Sequence, residues 1–533
     1  MQRVAGGPTG HAFVRRGRAG RVGVLGLALA TGLAACESTP ELGRVELVEG
    51  FAGLVAADEP NATVVGREIL ANNGTAIDAA VAMGFALSVT LPSRVGLGGG
   101  GVCLAFDSEA REATAVTFAP LGNGAGGVAP GMARGLAVLH AQGGVMQWGL
   151  VVSPAENLAR FGHPISRALA NDLTAAQRLL GRQPELAALF SRDGRPLREG
   201  ERLTQPGIAA LIGGIRQRGG IYLHSGTVAE RLAEAAQAQG IRLGAEEIRG
   251  FVPGVGAPLR LPAGDDVLYL PPMPSGGGVL AGQLWQMLTE ARDWDGAGAQ
   301  RPVLFTEAEI RALIARNDWP RATELAGVPG QEMISEAAAE QLWAGSPAGS
   351  AVYLPVPSAG FVVGDRVGNA VACSFTLNDF FGSGKVARGD QLIFAAPPPP
   401  GTSNAPTLVV ALVGNENTGK TRLAMTVAGG DLAPGTFFQV ARPTLEGEYS
   451  LEEAIDLPRI GRLPNGQLVA EQGYSSRGLE ALRSQGDNPE ILGVPSLVEA
   501  FYCPNGLRPS RGTAGDCEVI SDPRGTGLSE RVE

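Results

Sequence analysis

The sequence predicts a mixed α/β (α+β) protein, because stretches with strand patterns and helix patterns alternate along the chain. Its 533 residues, 44% hydrophobic and 18% charged, are enough for one large core or two domains. Two apolar, β-branched runs flank the polar segment Asp365 to Asn369 and predict a β-hairpin with its turn near Gly368-Asn369. This hairpin would place the hydroxyl of Ser358 at the mouth of one strand, with Thr376 and Asn378 on the partner strand.

The first 35 residues predict an export signal. They contain five arginines and no acidic residue, and they end in the apolar run Val22 to Ala35, which is too short to span a membrane. Leu33-Ala34-Ala35-Cys36 has the form of a bacterial lipobox, in which Cys36 would carry the lipid; a signal cleaved nearby, leaving a free cysteine, is the alternative. Removal of the signal changes the net charge from −10 to −15. We therefore expect an acidic chain, lipid-anchored in the bacterial cell envelope and facing the periplasm.

Two helices and a strand follow residues 36–58, which we interpret as a linker after the lipidated cysteine. Asn61 to Gly74 predicts a helix that ends at its glycine. Thr75 to Asp78 has the pattern of a capping box and predicts a second helix from Ile77 to about Val89. A glycine-rich run then leads into a predicted strand from Val102 to Phe106.

The phosphate-binding pattern G-x-x-x-x-G-K-[ST] occurs at Gly414 to Thr421, directly after the apolar strand Thr407 to Val413. Taken alone, it would predict a nucleotide-hydrolysing enzyme. Only Arg422 to Ala428 separate it from Gly429-Gly430, which is too short for the helix whose N-terminus must hold the phosphates. Leu423 to Val427 fits a returning strand, so we interpret the motif as a hairpin turn.

Charge and cysteine content limit the possible partners. A net charge of −10 without a dense basic patch argues against a nucleic-acid partner. Cys503 and Cys517 bracket a loop rich in glycine and proline and could form a disulfide in an exported protein. Cys103 and Cys373 lie in apolar strand-like runs, where we expect buried thiols. No Cys/His spacing predicts a metal site, and we expect no cofactor.

Several segments resemble the gamma-glutamyltransferase family of N-terminal nucleophile hydrolases, in which the chain cuts itself and a new N-terminal residue becomes the nucleophile. The matching segments follow the family's order and include the glycine-rich run, the hairpin, Gly429-Gly430 and, in chain order, Gly127 to Met132, Trp148 to Gly162, Pro271 to Gly277, Thr402 to Thr407, Ala454 to Ile460 and Ser521 to Arg524. The resemblance implies a four-layer αββα sandwich. It also implies a large-subunit-like region at 59–357 and a small-subunit-like region at 358–533.

The resemblance implies four catalytic residues. Ser358 aligns with the family's catalytic threonine; its hydroxyl would attack, and its freed α-amine, with an ordinary pKa near 8, would accept the proton. Thr376 aligns with the threonine that hydrogen-bonds the nucleophile. Gly429 and Gly430 align with the backbone donors of the oxyanion hole. In addition, Asn378, Thr402 and Ser403 align with substrate-binding residues.

The sequence departs from the family where the charged ends of a γ-glutamyl group are held. Val116 stands where the family has an arginine for the α-carboxylate. Ala395 to Pro400 replace the segment whose asparagines and aspartate hold the α-amino group. Arg94, Lys385 and Arg388 are candidates for a substitute cation, and otherwise they are surface charges.

Two functions are compatible with these observations. The first is an exported lipoprotein that cuts itself before Ser358 and acts on a γ-glutamyl compound such as glutathione, or on another small-molecule or peptide amide, with its two fragments remaining associated. The second is a catalytically degenerate, uncut relative that serves as a binding or structural lipoprotein. The first function is favoured by the retained Ser358, Thr376, Asn378 and Gly429-Gly430, and the second by Val116, Gly360 and the proline run Pro397 to Pro400.

Overall fold

Two antiparallel β-sheets face each other, and helices cover the outer side of each sheet. The structure is a computed structural model that describes residues 50–289, 294, 296–319, 327–345, 350–398, 405–507 and 515–533. The strands of these residues are β1 (Gly53–Ala57), β2 (Gly100–Asp107), β3 (Glu112–Phe118), β4 (His163–Pro164), β5 (Ser191–Arg192), β6 (Arg195–Pro196), β7 (Arg202–Leu203), β8 (Gly254–Gly256), β9 (Leu259–Ala263), β10 (Asp266–Leu270), β11 (Ser358–Asp365), β12 (Ala370–Thr376), β13 (Val386–Ala387), β14 (Leu392–Ile393), β15 (Val409–Asn415), β16 (Lys420–Ala428), β17 (Ile460–Arg462), β18 (Leu468–Ala470), β19 (Glu490–Ile491), β20 (Leu497–Leu507), β21 (Glu518–Ser521) and β22 (Leu528–Val532). The helices are α1 (Pro60–Ala71), α2 (Ala76–Thr90), α3 (Met132–Ala141), α4 (Trp148–Phe161), α5 (Arg167–Ala175), α6 (Gln177–Leu180), α7 (Pro184–Phe190), α8 (Pro206–Arg218), α9 (Gly226–Ala238), α10 (Ala245–Gly250), α11 (Gly276–Thr289), α12 (Arg301–Ala315), α13 (Gly330–Met333), α14 (Glu336–Ala344), α15 (Ala433–Leu445), α16 (Leu451–Asp456) and α17 (Ser476–Ser484).

The first sheet has the strand order β22-β1-β11-β12-β2-β3-β8. The predicted hairpin forms its centre, with Ser358 opposite Thr376 at the open end of β11 and β12. The Asp365 carboxylate accepts hydrogen bonds from the backbone N–H groups of Val367 and Asn369 in the turn, both at 3.0 Å. The turn also places Gly368 at a φ of 100°, a conformation that glycine adopts most easily. The sequence prediction of this hairpin and its turn is therefore confirmed.

The second sheet has the strand order β21-β20-β16-β15-β10-β9. The predicted strand and returning strand around the phosphate-binding pattern are β15 and β16, which pair with each other directly. The Asn415 side chain accepts hydrogen bonds from the N–H groups of Asn417 and Thr418 and so closes the turn. The motif is a hairpin turn, and a strand, not a helix, follows it.

Three apolar cores explain why four layers form. One core lies between the sheets and includes Leu54, Val362 and Leu412. A second lies between the first sheet and helices such as α2, α4 and α8, and a third lies between the second sheet and α11, α12 and α15. Because side chains alternate along a strand, Phe361 faces the helices while Val362 faces the other sheet. The four-layer αββα arrangement implied by the resemblance is confirmed.

The first two helices form as predicted, with bounds shifted by one to three residues. Helix α2 begins at a capping box, in which the Thr75 hydroxyl accepts from the N–H of Asp78 and the Asp78 carboxylate accepts from the N–H of Thr75. Nearly every side chain of α2 is buried, because the helix lies between the sheet and the helices outside it.

The cysteine predictions have two different outcomes. Cys503 and Cys517 form a disulfide, as the sequence allowed. Cys103 and Cys373 were expected to be thiols, and this prediction is wrong, since the structure joins them by a disulfide. They face each other on the neighbouring antiparallel strands β2 and β12. The two strands are 270 residues apart in sequence, so no local pattern reveals the pairing.

A search of the described residues for a membrane-spanning helix gives none that is long and apolar enough.

Candidate active site

Ser358 is the first residue of β11 and lines a cavity of about 540 Å³ together with Gly429, which follows β16 of the second sheet. Its side chain is buried, with 1% of its surface exposed. Its Oγ has no hydrogen-bond partner among the described residues. Because no hydrogen bond holds this hydroxyl, it can turn towards a carbonyl carbon or towards a base.

The Thr376 hydroxyl lies against the peptide bond that precedes Ser358. Its Oγ1 donates to the carbonyl oxygen of Pro357 at 2.6 Å and accepts from the N–H of Asn378 at 2.8 Å. The resemblance implied a hydrogen bond from Thr376 to the nucleophile; the structure places this hydroxyl on the neighbouring carbonyl. A donor on that oxygen would stabilise the negative charge that develops when the carbonyl carbon is attacked.

Gly429 and Gly430 bring the end of β16 close to the segment before Ser358. Gly430 has a φ of 59°, and a Cβ there would lie 2.6 Å from the carbonyl oxygen of Leu354 and 2.6 Å from the nitrogen of Val356. Any larger residue would therefore push this segment away. Gly429 has a φ of 150°, and a Cβ there would lie 2.8 Å from the Cβ of Ser496. Glycine is needed at both positions for close approach.

Asp431 fixes the segment that precedes Ser358. Its carboxylate forms a buried bidentate ion pair with Arg316, at 2.6 and 2.8 Å, and accepts from the hydroxyl of Thr407. It also accepts from the N–H of Leu354 at 2.5 Å, and the N–H of Asp431 donates back to the Leu354 carbonyl. The sequence analysis missed this residue, although its position directly after the glycine pair is a usable signal.

Asn378 has an unusual backbone conformation, and its side chain forms structural hydrogen bonds. It has a φ of 67°, a conformation that asparagine tolerates better than most residues. Its Nδ2 donates to the carbonyl oxygens of Pro120 and Ala396, both at 2.8 Å. Both amide hydrogens therefore hold the two loops that replace the family's substrate-binding segments.

Two buried acids, Asp58 and Glu499, lie near β11, the strand that begins at Ser358. The carboxylate of Asp58 accepts from the N–H of Gly360 at 2.7 Å, while its other oxygen has no partner among the described residues. Burial raises the pKa of Asp58 to about 6, against the lowering effect of Arg94. Burial and the charge of Asp58 also raise the pKa of Glu499 well above its ordinary value. Neither acid was predicted, since nothing in the local sequence marks either.

Val116 and Ala395 stand where the family has polar or charged residues that bind the substrate, and both are surrounded by apolar side chains. Val116 is buried in the core between the first sheet and its helices, opposite Cys103. Ala395 is also buried in that core. The proposed substrate residues Thr402 and Ser403, and the proposed lipidation site Cys36, lie outside the described residues.

Of the three candidate cations, only Arg94 lines the cavity that contains Ser358. Its Nε and Nη2 donate to the two carboxylate oxygens of Asp172, each at 2.7 Å, and its guanidinium lies 5.8 Å from the ring centre of Phe380. Hydrogen bonds and charge from Asp172 raise the pKa of Arg94 despite burial. Arg388 instead pairs with Glu185 at the surface.

The cavity wall offers no imidazole, because none of the residues that line it within the described chain is a histidine. The described residues also contain no cluster of three potential metal-ligating side chains. If the chain were cut before Ser358, the α-amine of this residue could accept the proton of its hydroxyl.

Two facing antiparallel sheets covered by helices form the αββα arrangement of the N-terminal nucleophile hydrolases, and Ser358 is the first residue of a central strand of one sheet. The fold is similar to that of the cephalosporin acylase from Bacillus halodurans, with a TM-score of 0.77 and 19% identity over 93% of this chain and 98% of the other.

The chain belongs to the gamma-glutamyltranspeptidase family, whose model matches residues 62–120 and 119–394. It is 28% identical to the glutathione hydrolase proenzyme of Escherichia coli K12, over 89% of this chain and 90% of that protein. It is 26% identical to the acylase ACY 1 proenzyme of Pseudomonas sp. SE83, over 87% and 91% of the two chains. The resemblance noted in the sequence is therefore confirmed.

Proposed function

We propose that this chain cuts itself before Ser358 and then uses Ser358 to hydrolyse or transfer a γ-glutamyl group or a related amide-linked acyl group. The observation that carries the proposal is the hydrogen bond from Thr376 to the Pro357 carbonyl, beside a Ser358 hydroxyl that has no hydrogen-bond partner among the described residues. The names of two relatives, glutathione hydrolase proenzyme and acylase proenzyme, support both the processing and the amide chemistry.

In the proposed cutting step the Ser358 Oγ attacks the carbonyl carbon of Pro357. An O–C bond forms, the Pro357–Ser358 C–N bond breaks, and the proton from the hydroxyl goes to the departing nitrogen, which leaves an ester. Thr376 stabilises the charge on the carbonyl oxygen during this step. Water then hydrolyses the ester and releases the Pro357 carboxylate, the Ser358 hydroxyl and a free α-amine.

In the proposed catalytic cycle this α-amine takes the proton of the Ser358 hydroxyl as it attacks the substrate amide. The leaving amine receives that proton, and the acyl group stays on Ser358 as an ester. Water, or a second amine, then removes the acyl group. Gly429 lies at the cavity wall beside Ser358 and is the candidate for an oxyanion donor.

The cutting step is tested by N-terminal sequencing and mass analysis of the purified, reduced protein. We expect two fragments, one beginning at Ser358, and we expect Ser358→Ala to remain uncut. Ser374→Ala is the matched control, because Ser374 is equally buried and its Oγ also lacks a partner among the described residues. Ser374→Ala should be cut normally. A single uncut wild-type chain would contradict the proposal.

A catalytically degenerate relative is the second candidate, favoured by the observation that Val116 and Ala395 leave apolar core where the family has polar anchors. The two candidates differ in one result. Hydrolysis of γ-glutamyl or another acyl nitroanilide that disappears in Ser358→Ala supports the enzyme, and an uncut chain supports the degenerate relative.

We also propose that the chain is a lipoprotein of the bacterial envelope, anchored at Cys36 and facing the periplasm. The basic segment, the short apolar run and the lipobox-like Leu33 to Cys36 support this proposal. Labelling with a radioactive fatty acid should mark the wild-type protein, and Cys36→Ala should lose both the label and membrane association.

A further inference from the structure

The charges of the Ser358 cavity restrict which acyl group it can hold. Three arginines and two carboxylates line it: Arg94, Arg462, Arg524, Asp431 and Glu471. A γ-glutamyl group carries both an ammonium and a carboxylate, so each charge needs a partner of opposite sign in the cavity. The hydrogen bonds of the five side chains show which of these partners are available.

Neither carboxylate is available to an ammonium. Asp431 is occupied on both oxygens by Arg316, the N–H of Leu354 and the hydroxyl of Thr407. Glu471 is occupied on both oxygens by Arg524, with further hydrogen bonds from the backbone N–H groups of Arg459 and Val494.

A further buried acid, Glu309, is mostly uncharged at neutral pH. Glu309 does not line the cavity, and burial together with the charge of Asp431 raises its pKa to about 8. Residues 399–404, which replace part of the family's amino-group-binding segment, contain no aspartate or glutamate. A substrate ammonium would therefore lose its hydration without gaining a carboxylate partner.

A substrate carboxylate, in contrast, can find a partner in the cavity, because Arg94 retains a hydrogen-bond donor that Asp172 does not occupy. Its Nε and Nη2 are held by Asp172, whereas its Nη1 has no protein partner in the described part of the chain. Asp172 also accepts from the Ser93 hydroxyl at 2.6 Å, which keeps the guanidinium in place. Phe380, Val356 and Leu432 line the same cavity and can cover a methylene chain.

We propose that the site accepts an acyl group that carries a carboxylate but no amino group, that is, the monoamide of a dicarboxylic acid, and that Arg94 determines this specificity by binding the carboxylate. This inference rests on the proposed acyl-transfer function. It names the substrate class by chemistry: a glutaryl amide differs from a γ-glutamyl amide only by the missing ammonium group.

The test compares three nitroanilides on the cut protein: glutaryl, γ-glutamyl and pentanoyl, which replaces the carboxylate by a methyl group. We expect kcat/KM for the glutaryl compound to exceed each of the others by about tenfold or more, the usual effect of one charge-assisted hydrogen bond. A γ-glutamyl compound that reacts as fast as the glutaryl compound, or faster, would overturn the proposal.

The Arg94→Met variant should lower the ratio of glutaryl to pentanoyl kcat/KM by about tenfold, because only the glutaryl compound uses the guanidinium. This ratio separates specificity from folding, since misfolding reduces both activities together. Arg94→Met with Asp172→Asn avoids an unpaired buried carboxylate and should give the same ratio. The matched control is Arg388→Met, which removes an arginine that pairs with Glu185 at the surface and should leave the ratio unchanged. A ratio unaffected by Arg94→Met would contradict the proposal.

Calorimetric binding of glutarate and glutamate keeps this test separate from that of the proposed function. Glutarate should bind more tightly than glutamate, and its binding should be lost in Arg94→Met, whether or not the chain is cut. An uncut, inactive chain that still shows this preference would defeat the proposed function and support only the assignment of Arg94 as a carboxylate-binding residue. A cut, active chain without the preference would defeat the inference alone.

Discussion

At the scale of single residues, the Thr376 hydroxyl donates its one hydrogen to the Pro357 carbonyl and accepts from the N–H of Asn378. Thr376→Val keeps the shape of the side chain and removes the donor. We expect the cut before Ser358 to slow by about 10²-fold, the effect of losing one oxyanion donor. Mass analysis of reduced samples during maturation would measure the rate.

Thr376→Ser should cut at close to the wild-type rate, since it keeps the hydroxyl. Thr426→Val is the matched control: its hydroxyl is also buried but donates to the Val409 carbonyl and not to that of Pro357. If Thr376→Val cut as fast as Thr426→Val, the assigned action of Thr376 would be wrong.

Glu309 links stability to pH. Burial raises its pKa from 4.5 to about 8 in the folded protein, so the folded state binds a proton that the unfolded chain has released. Stability from this group is complete below pH 4.5 and is lost as the pH rises through about 8. Glu309→Gln cannot ionise, and we expect its advantage over the wild-type residue to grow by about 1.4 kcal/mol per pH unit at most.

The measurement is the melting temperature of the uncut Ser358→Ala chain across this pH range, with and without Glu309→Gln. Asp58 and Glu499 shift in the same direction, so the difference between the two proteins isolates Glu309. Glu307→Gln, on the same helix but half exposed, should show no such trend. Parallel pH profiles for Glu309→Gln and its parent would contradict the prediction.

At the residue scale the sequence indicated some residues that line the cavity but not the side-chain contacts around them. Ser358 and Gly429 were predicted, and both line the cavity. Asp431 was missed because its main partner, Arg316, is 115 residues away, and an ion pair of that separation leaves no local pattern. The catalytic actions of the predicted residues remain predictions for the experiments above.

At the scale of elements, the pair of Asp431 and Arg316 holds the segment before the cut site against the glycine loop after β16. Asp431→Asn leaves the Arg316 guanidinium buried without a negative partner. We expect a loss of about 3–5 kcal/mol in the free energy of unfolding of the uncut chain. We also expect slower cutting, because the N–H of Leu354 loses its charged acceptor. Denaturant unfolding and mass analysis would measure the two effects.

Removing both charges with Arg316→Met and Asp431→Leu should cost less than Asp431→Asn alone, because no unpaired charge stays buried. The exposed pair of Arg67 and Glu530 provides the contrast: Glu530→Gln should change stability by less than about 1 kcal/mol. Equal effects at the buried and exposed pairs would contradict this account.

In the turn between β15 and β16, residues of the phosphate-binding pattern form hydrogen bonds that hold the protein structure. The Thr421 hydroxyl is buried and donates to the carbonyl of Gly368, so it is not available to a nucleotide-bound metal ion. We expect Thr421→Val to destabilise the chain by about 1 kcal/mol and Lys420→Met to have little effect. Stabilisation of the wild-type melting temperature by ATP and magnesium, lost in Lys420→Met, would contradict the hairpin interpretation.

Elements with local signals were predicted well. The capping box located the start of α2, and the flanking apolar runs located β11 and β12. A helix that is buried on all sides is harder to predict from its sequence. Helix α2 is apolar on nearly all sides because the sheet and the outer helices cover both of its faces, so it lacks an amphipathic pattern.

At the scale of the whole molecule, the two regions separated by the proposed cut are interleaved. Strand β1, from the first region, lies between β22 and β11 of the second, and β2 pairs with β12. In the other sheet β10 pairs with β15. These pairings are not readable from sequence periodicity, since the paired strands lie far apart in the chain.

The Cys103–Cys373 disulfide crosses the proposed boundary, because Cys103 precedes Ser358 and Cys373 follows it. We expect a denaturing gel of the cut protein to show one band without reductant and two bands with it. Cys373→Ser should give two bands under both conditions. Cys503→Ser is the control, since the Cys503–Cys517 bond lies within one region. Two bands from unreduced wild-type protein would contradict the prediction.

This disulfide also affects whether the fragment that contains Ser358 can leave the membrane. If Cys36 carries a lipid, the fragment that begins at Ser358 has none of its own, and it would depend on its partner to remain at the membrane. The bond between Cys103 and Cys373 would then connect the lipid covalently to the fragment that contains Ser358. Washing membranes with a chaotrope should then release the serine-bearing fragment only after reduction.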